Sequence, residues 1–432
     1  MARRFFPLDE ELDLLPGALT PSLQEDVVRL STWMPFARAA QELARLRGVR
    51  VAEATARSRT EAAGAAYVAV QTAQAAALER DLPDPPAGPE RQFLSVDGAM
   101  VPLVGGRWAE VKTLALGDIA APVWEERAPA PVVHTTNLSY FSRMTDMATF
   151  TQLASVETHR RGTATAGTVA AVVDGAESNQ GFIDYQRPDA LRILDFPHGA
   201  GSLGQVAAAV WADEPAQQAE WLAKQCHELK HGDPQVVLDD LRALQATLAP
   251  ADGEAPRPAW ETVTSSLTYL EKRQAQIQYA AFQAAGYPIG DGAVESAHKV
   301  MVEARLKGAG MHWAPAHVNP LVALRNVAYN DRWAEAWPQM STELRRQARA
   351  QATGRRQARA GAATAAAATA APPTSRPGLA PAAPAAVEGP TWRDDGPPPL
   401  APAVAPAATP PARRRPAADH PWRRGFARRP AA

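Results

Sequence analysis

Three acidic residues stand where a carboxylate can do chemistry. Asp97 lies in the first strand, in LSVDGAM, Asp174 closes an apolar run in AAVVDGAESNQGF, and Glu295 opens a helical pattern in GYPIGDGAVESAHKV. Brought together they would form a hard-oxygen site suited to two Mg²⁺ ions, with Mn²⁺ as a substitute, because such ions keep several waters and need few protein ligands. Two ions roughly 3.5–4 Å apart activate an attacking hydroxyl and stabilise the leaving oxygen of an in-line phosphoryl displacement. Each acid also has an ordinary explanation: Asp-Gly is a frequent strand-end turn, and an acid in a first helical turn is favoured by the helix dipole. The order of the surrounding elements favours a joint site.

From Gln92 the texture is that of strands. Residues 93–96 and 100–104 are short apolar runs, Gly105-Gly106 is a turn, and 108–116 alternate as in an antiparallel hairpin. Residues 132–141 read as a third strand, 145–160 as a helix, 168–173 as a buried strand ending at Asp174, 181–186 as a short helix and 190–196 as another strand. Three meandering strands, then helix, strand, helix, strand, is the order of a ribonuclease H-like mixed sheet, an α/β fold. Its first and fourth strands end side by side, and its last helix packs against them. Helical patterning then runs over 204–248, breaks at APADGEAPRP, resumes over 260–285, and a last helix covers 294–306. This order predicts a first part of the core at 91–200, an α-helical insertion at 201–286, and the last core helix with C-terminal helices at 287–342. Trp211, Trp221 and Leu222 are expected in the insertion's own core.

Ahead of the sheet, Thr20-Pro21 reads as a helix cap and first-turn proline, and Phe36, Ala40, Leu43 and Leu46 form a stripe that Gly48 ends. A further helix begins near Val51 and carries Arg57 and Arg59. Helix, glycine turn, helix is the helix-turn-helix pattern, whose second helix enters a DNA major groove; a plain helical hairpin has the same signature. Residues 1–80 are thus expected to form an N-terminal helical DNA-binding region, joined by a linker at 81–90, DLPDPPAGPE.

The segments RRFFPLDEELDLLPGALTP, LSVDGAMVP, AAVVDGAESNQGFIDYQRPDALRILDFPH and YLEKRQAQIQYAAFQAAGYPIGDGAVESAHKVMVEARLKGAGMHW resemble the ISKra-type insertion-sequence transposases, bacterial relatives of the Mutator group, collinearly over residues 3–337. The resemblance implies a DDE transposase whose core uses Asp97, Asp174 and Glu295 as catalytic, metal-binding acids. It also implies double-stranded DNA as partner, both terminal inverted repeats and target, and a homo-oligomer on paired ends. Asp195 and His198 in DFPH look like the Asp-x2-His pair that such transposases carry after the second catalytic acid. By residue type alone they read equally as capping and turn residues, and Asp195 is the second choice for the middle acid. Three places depart from the family pattern: Ser178-Asn179 stand where an aromatic is expected, 199–202 replace a more polar helix-forming stretch, and Asp291 replaces a small serine one turn before Glu295.

Lys299, Arg305 and Lys307 follow Glu295, where they would hold DNA phosphates or form an ordinary solvated face. Trp313, in GMHW, would stack on an unpaired base or sit in the core. Residues 199–204 match GxGxxG, yet the residues after them read as helix where a dinucleotide fold needs a second parallel strand, and Gln205 stands where a P-loop lysine would be.

Composition narrows the class further. The 432 residues contain one cysteine, which excludes a disulfide-stapled scaffold. The net charge of −1 conceals an asymmetry: from Glu343 onward 15 arginines face 5 acids, leaving −11 for the rest. Residues 343–432, rich in Ala, Pro and Arg, read as a disordered tail. Such a tail would bind phosphates nonspecifically or serve as a solubilising or read-through extension. Acids interrupt the N-terminal MARRFFPLDEELDLL before a signal-peptide core forms, and no run reaches the roughly 18 apolar residues of a membrane span, so a soluble cytoplasmic, nucleoid-associated protein is expected. Three functions stay open: a transposase that cleaves and joins DNA, an inactive remnant that only binds it, and a ribonuclease H-like nuclease without strand transfer.

Overall fold

The computed structural model describes residues 14–369 except 17, 125, 127–131, 252–254 and 256. Contacts divide the chain into 1–367 and 368–432, and all that follows concerns the first unit.

Three helices come first. The Thr20 hydroxyl accepts from the Leu23 N–H and Pro21 opens α1 (Pro21–Trp33). Next come α2 (Phe36–Arg47), which Gly48 ends at φ 70°, and α3 (Glu53–Asp81). The sheet follows as β1 (Arg91–Pro102), β2 (Trp108–Ile119), β3 (Thr135–Arg143), α4 (Met147–Arg160), β4 (Thr168–Val173), α5 (Glu177–Gln186) and β5 (Leu191–Leu194). Five helices come next: α6 (Phe196–Val210), α7 (Pro215–His231), α8 (Pro234–Thr247), α9 (Pro258–Glu271) and α10 (Tyr279–Ala284). Then α11 (Gly292–Ala297) continues through a π-helical turn (His298–Glu303) into α12 (Ala304–Leu306), followed by α13 (Pro315–Tyr329) and α14 (Trp333–Thr369).

The sheet is mixed, in the order β3-β2-β1-β4-β5, with β1–β2 and β2–β3 antiparallel and β1–β4 and β4–β5 parallel. Period-two alternation divides the apolar side chains between its faces. Phe93, Ala170, Val172 and Ile193 pack with α6–α10, whereas Leu94, Val96, Ala171 and Val173 pack with α4 and α5. The two apolar runs expected at 93–96 and 100–104 are one strand, because β2 pairs with β1 without a break from Gln92–Asp118 to Pro102–Trp108. Asp97-Gly98 is therefore mid-strand and not a turn. Gly98 also leaves room for Glu110, whose Oε1 would lie 2.1 Å from an added Cβ.

Four expectations need correcting. The N-terminal helices are not a separately linked lobe, because Val27, Leu43 and Tyr67 share one apolar cluster with Met301, Leu321 and Trp337. The 81–90 stretch is itself pinned, with the Gly88 N–H donating to Thr165 Oγ1 at 2.9 Å. Glycines 199, 201 and 204 lie inside α6, which begins at Phe196 with Asp195 as its cap. The expected insertion has no core of its own: Leu203, Leu229, Leu241 and Leu270 join the sheet's cluster, and Trp221 packs at its margin with Trp211 tilted against it, ring centres 5.1 Å apart. Finally, 343–369 is helical, since Leu344 is buried and the Ala-rich stretch beyond it has high helix propensity. The rest of the expected tail, 370–432, lies outside the described residues, as do residues 1–13. Among the described residues no helix is long and apolar enough to cross a membrane.

The shared N-terminal core rests on a close helix crossing. A Cβ on Gly64 of α3 would lie 2.2 Å from the Pro320 carbonyl oxygen of α13. Gly64→Ala is expected to cost about 2–3 kcal/mol, the usual result of overpacking between rigid backbones, read as a lower urea midpoint.

Candidate active site

Strand register brings the acids together. Leu94 of β1 pairs with Ala171 of β4, and Val173 of β4 pairs with Leu194 of β5. Continued along the strands, these registers set Asp97, Asp174 and Asp195 abreast across three neighbouring parallel strands. The edge beyond the carboxyl ends of such strands is where open α/β sheets bind ligands. The Asp195 N–H still donates to the Val173 carbonyl at 2.8 Å, so the β4–β5 ladder reaches Asp195.

Each acid is held differently. Asp97 is half-buried, and burial pushes its carboxyl above the usual range, with Asp174 adding to the rise while the Gly98 N–H, His298 and His198 oppose it. Asp174 accepts through one oxygen, Oδ1, from the Ala176 N–H (2.9 Å) and from Asn179 Nδ2 (2.7 Å). Asp195 is fully buried: Oδ1 accepts from the Asp291 N–H (2.9 Å), while Oδ2 lies 2.8 Å from His198 Nδ1 and accepts from the His198 N–H. Through these bonds Asp195 ties the start of α6 to the start of α11.

The electrostatics follow from this crowding. The hydrogen bond to Asp195, aided by the charges of Asp195, Asp174 and Asp291, raises His198 to about 9. His198 is therefore an imidazolium at neutral pH, and a cation does not ligate metal. Asp291 is 2% exposed. Burial first, then the charges of Asp195, Asp97 and Glu295, lift it to about 7. Glu295 is exposed on α11, which packs on β1 and β2. One turn later His298 is buried, its Nδ1 3.6 Å from Asp97 Oδ2, too long for a hydrogen bond, and burial lowers its hold on a proton while Asp97 opposes this.

The structure therefore draws Asp97, Asp174, Asp195, His198 and the start of α11 into one region. Among the described residues the group of ligand-type atoms that closes to within 4.8 Å is Asp195, His198 and Asp291, not the three acids expected from the sequence. Two residues near the acids carried no sequence signal. Asn179 stood out only as a departure from a family pattern, yet it orients Asp174. His298, at which the π-helical turn begins, lies beside Asp97.

The expected DNA-binding residues separate by exposure. Arg57 and Lys299 are exposed, and Lys307 pairs with Glu303 at 2.7 Å. Arg59 is half-buried and donates to the Pro16 carbonyl at 2.6 Å. Arg305 and Trp313 belong to the core, which corrects their expected DNA contacts. Arg305 donates to the Ser31 carbonyl at the end of α1 and lies over the rings of Phe36 (4.7 Å) and Trp313 (5.4 Å), while Trp313 Nε1 donates to the Leu306 carbonyl. A cation among helix-end carbonyls and ring faces is favourably placed although burial lowers it to about 10. Arg305→Ala is expected to cost about 2–4 kcal/mol by cavity formation and an orphaned carbonyl, with no change in the salt dependence of DNA binding. Lys299→Ala is expected to leave stability unchanged and to reduce that salt slope by about one.

No protein-family model matches the chain, and no curated protein does either.

Proposed function

We propose that the protein is a metal-dependent DNA transposase that cleaves phosphodiesters at element ends and joins the freed 3′-hydroxyl to target DNA. The observation that carries this reading is the β1–β4 register, which, continued three residues past the Leu94–Ala171 pair, brings Asp97 within β1 level with Asp174 just after β4, while the Glu295-bearing helix packs on β1 and β2. The strand order, with β2 antiparallel to its neighbours, supports a ribonuclease H-like core.

The donor set fits divalent cations. Asp97, Asp174 and Glu295 offer hard carboxylate oxygens, and Asp195 and Asp291 bring two further carboxyl groups to the start of α11, where Asp195 Oδ1 accepts from the Asp291 N–H. When bound, two Mg²⁺ or Mn²⁺ ions supply activation of the attacking hydroxyl and stabilisation of the leaving oxygen. The chain's own groups do the positioning. Asn179 and the Ala176 N–H engage Asp174 Oδ1, Asp195 anchors α11, and half-exposed His198, kept charged by Asp195, offers a cation to a substrate phosphate. Arg57 and Lys299 are suited to contact the DNA backbone.

A second reading, a remnant that binds DNA without cutting it, is favoured by the closer approach of Asp195, His198 and Asp291 than of the three expected acids. Strand cleavage and joining on DNA carrying the terminal repeats that flank the coding region, with Mg²⁺, Mn²⁺ or EDTA, separates the readings. Joined products with metal support the transposase, and nicks alone indicate a nuclease. Binding without cleavage in either metal indicates the remnant.

A further inference from the structure

The turn carrying Asp174 is held from two directions. From its own side, Asn179 and the Ala176 N–H bind the carboxylate. From the helical insertion, nearly a hundred residues later in the chain, the Tyr269 hydroxyl donates to the Asp174 carbonyl at 2.7 Å, and Arg273 Nη2 donates to the Gly175 carbonyl. The two insertion residues form one unit: the guanidinium lies 4.0 Å from the centre of the tyrosine ring, and Arg273 Nη1 donates to the Tyr269 carbonyl at 2.9 Å. A planar arginine fork spanning two carbonyls loses little freedom when both bonds form.

Gly175 makes this grip possible. Its φ is +81°, where side chains are strained, and a Cβ there would lie 2.5 Å from Arg273 Nε and 3.0 Å from both Tyr269 Oη and Leu194 Cδ1. α9 is itself seated by Val263, Leu267 and Leu270 in the cluster beneath the sheet, so Tyr269 and Arg273 reach the turn from a fixed support.

We propose that the insertion is the positioning element for the second acid, with Tyr269 and Arg273 as positioning residues that set the direction of the Asp174 carboxylate. This rests on the reading of Asp174 as a metal-binding acid. Groups one bond removed from a metal ligand govern affinity by orienting it, and their loss typically weakens binding 10–100-fold.

The test uses the full chain without DNA. Free Mn²⁺ is titrated by electron paramagnetic resonance for wild type, Tyr269→Phe, Arg273→Gln, Arg273→Lys and Asp174→Ala, and for Tyr269→Phe combined with Asp174→Ala. Urea unfolding in EDTA is followed in parallel. Tyr269→Phe and Arg273→Gln are expected to raise the Mn²⁺ dissociation constant about tenfold, with Arg273→Lys recovering part of the loss. In the Asp174→Ala background Tyr269→Phe is expected to change nothing further. Variants that lower only the urea midpoint while binding Mn²⁺ as wild type does, or that weaken binding equally without Asp174, overturn the positioning role and leave the proposed function standing. A wild type that binds no Mn²⁺ overturns the proposed function and this inference with it.

Discussion

Asp97→Asn is expected to lower metal-dependent strand cleavage by about 10³-fold or more while binding of end DNA stays within a few-fold of wild type. Loss of several kcal/mol of transition-state charge stabilisation corresponds to a factor of that size. The change is nearly isosteric, and burial together with Asp174 already holds the Asp97 carboxyl above its usual range, so removing its charge relieves crowding and should not unfold the chain. Asp174→Asn and Glu295→Gln are expected to behave alike in gel-based cleavage. Asp195→Asn should differ. Its remaining amide oxygen can still accept from the Asp291 N–H, but an uncharged NH2 group replaces the oxygen that faces His198, so it should lower stability and return His198 toward an ordinary imidazole. Retention of cleavage by Asp97→Asn, with loss in Asp195→Asn at undiminished stability, would move the active centre to Asp195, His198 and Asp291 and sink the proposed assignment.

Asp291→Asn is expected to raise the thermal midpoint in metal-free buffer at pH 8. The folded carboxyl titrates near 7 against an ordinary value of 3.8, because burial and the charges of Asp195, Asp97 and Glu295 disfavour its ionised form. The folded chain thus holds this proton more tightly than the unfolded chain. The contribution of Asp291 to stability is greatest below pH 3.8, declines as pH rises through the window from 3.8 to 7, and carries the full penalty above 7. Three units at about 1.4 kcal/mol each set an upper bound near 4 kcal/mol, and relaxation of the acid cluster reduces this to on the order of 2 kcal/mol. At about 2–4 °C per kcal/mol for chains somewhat smaller than this one, the gain is a few degrees. It should vanish near pH 4, and it should shrink in excess Mg²⁺, since cation binding stabilises the folded state. A gain of equal size at pH 4 and pH 8 would show that the penalty at Asp291 is not electrostatic.

The elements most legible in the sequence were those whose signal is local. β4 runs over the expected residues 168–173, since a short continuous apolar run bounded by Gly167 and Asp174 has few other uses. Gly48 ends α2 as expected, at the left-handed conformation its lack of a side chain permits. Legibility failed where partners far along the chain decide the outcome. Residues 81–90 carry a linker signature, yet the Gly88 N–H is held by Thr165, far along the chain. Trp211 and Trp221 carry the signature of a separate insertion core, yet Trp221 packs at the margin of the cluster beneath the sheet, with Trp211 against it.

The same division runs through the candidate site. The sequence by itself determined which acids were available, that Asp174 closes a buried strand, and that Glu295 lies in the first turns of a helix, because residue type and periodicity are properties of neighbouring residues. Tertiary structure alone decided which acids stand abreast, that Asp195 is spent on the Asp291 N–H and His198, that Asn179, Tyr269 and Arg273 secure the Asp174 turn, and that Arg305 and Trp313 are core residues. Register, burial and the approach of remote helices depend on the summed packing of the whole chain, and a carboxylate's charge and direction depend on whatever that packing places beside it.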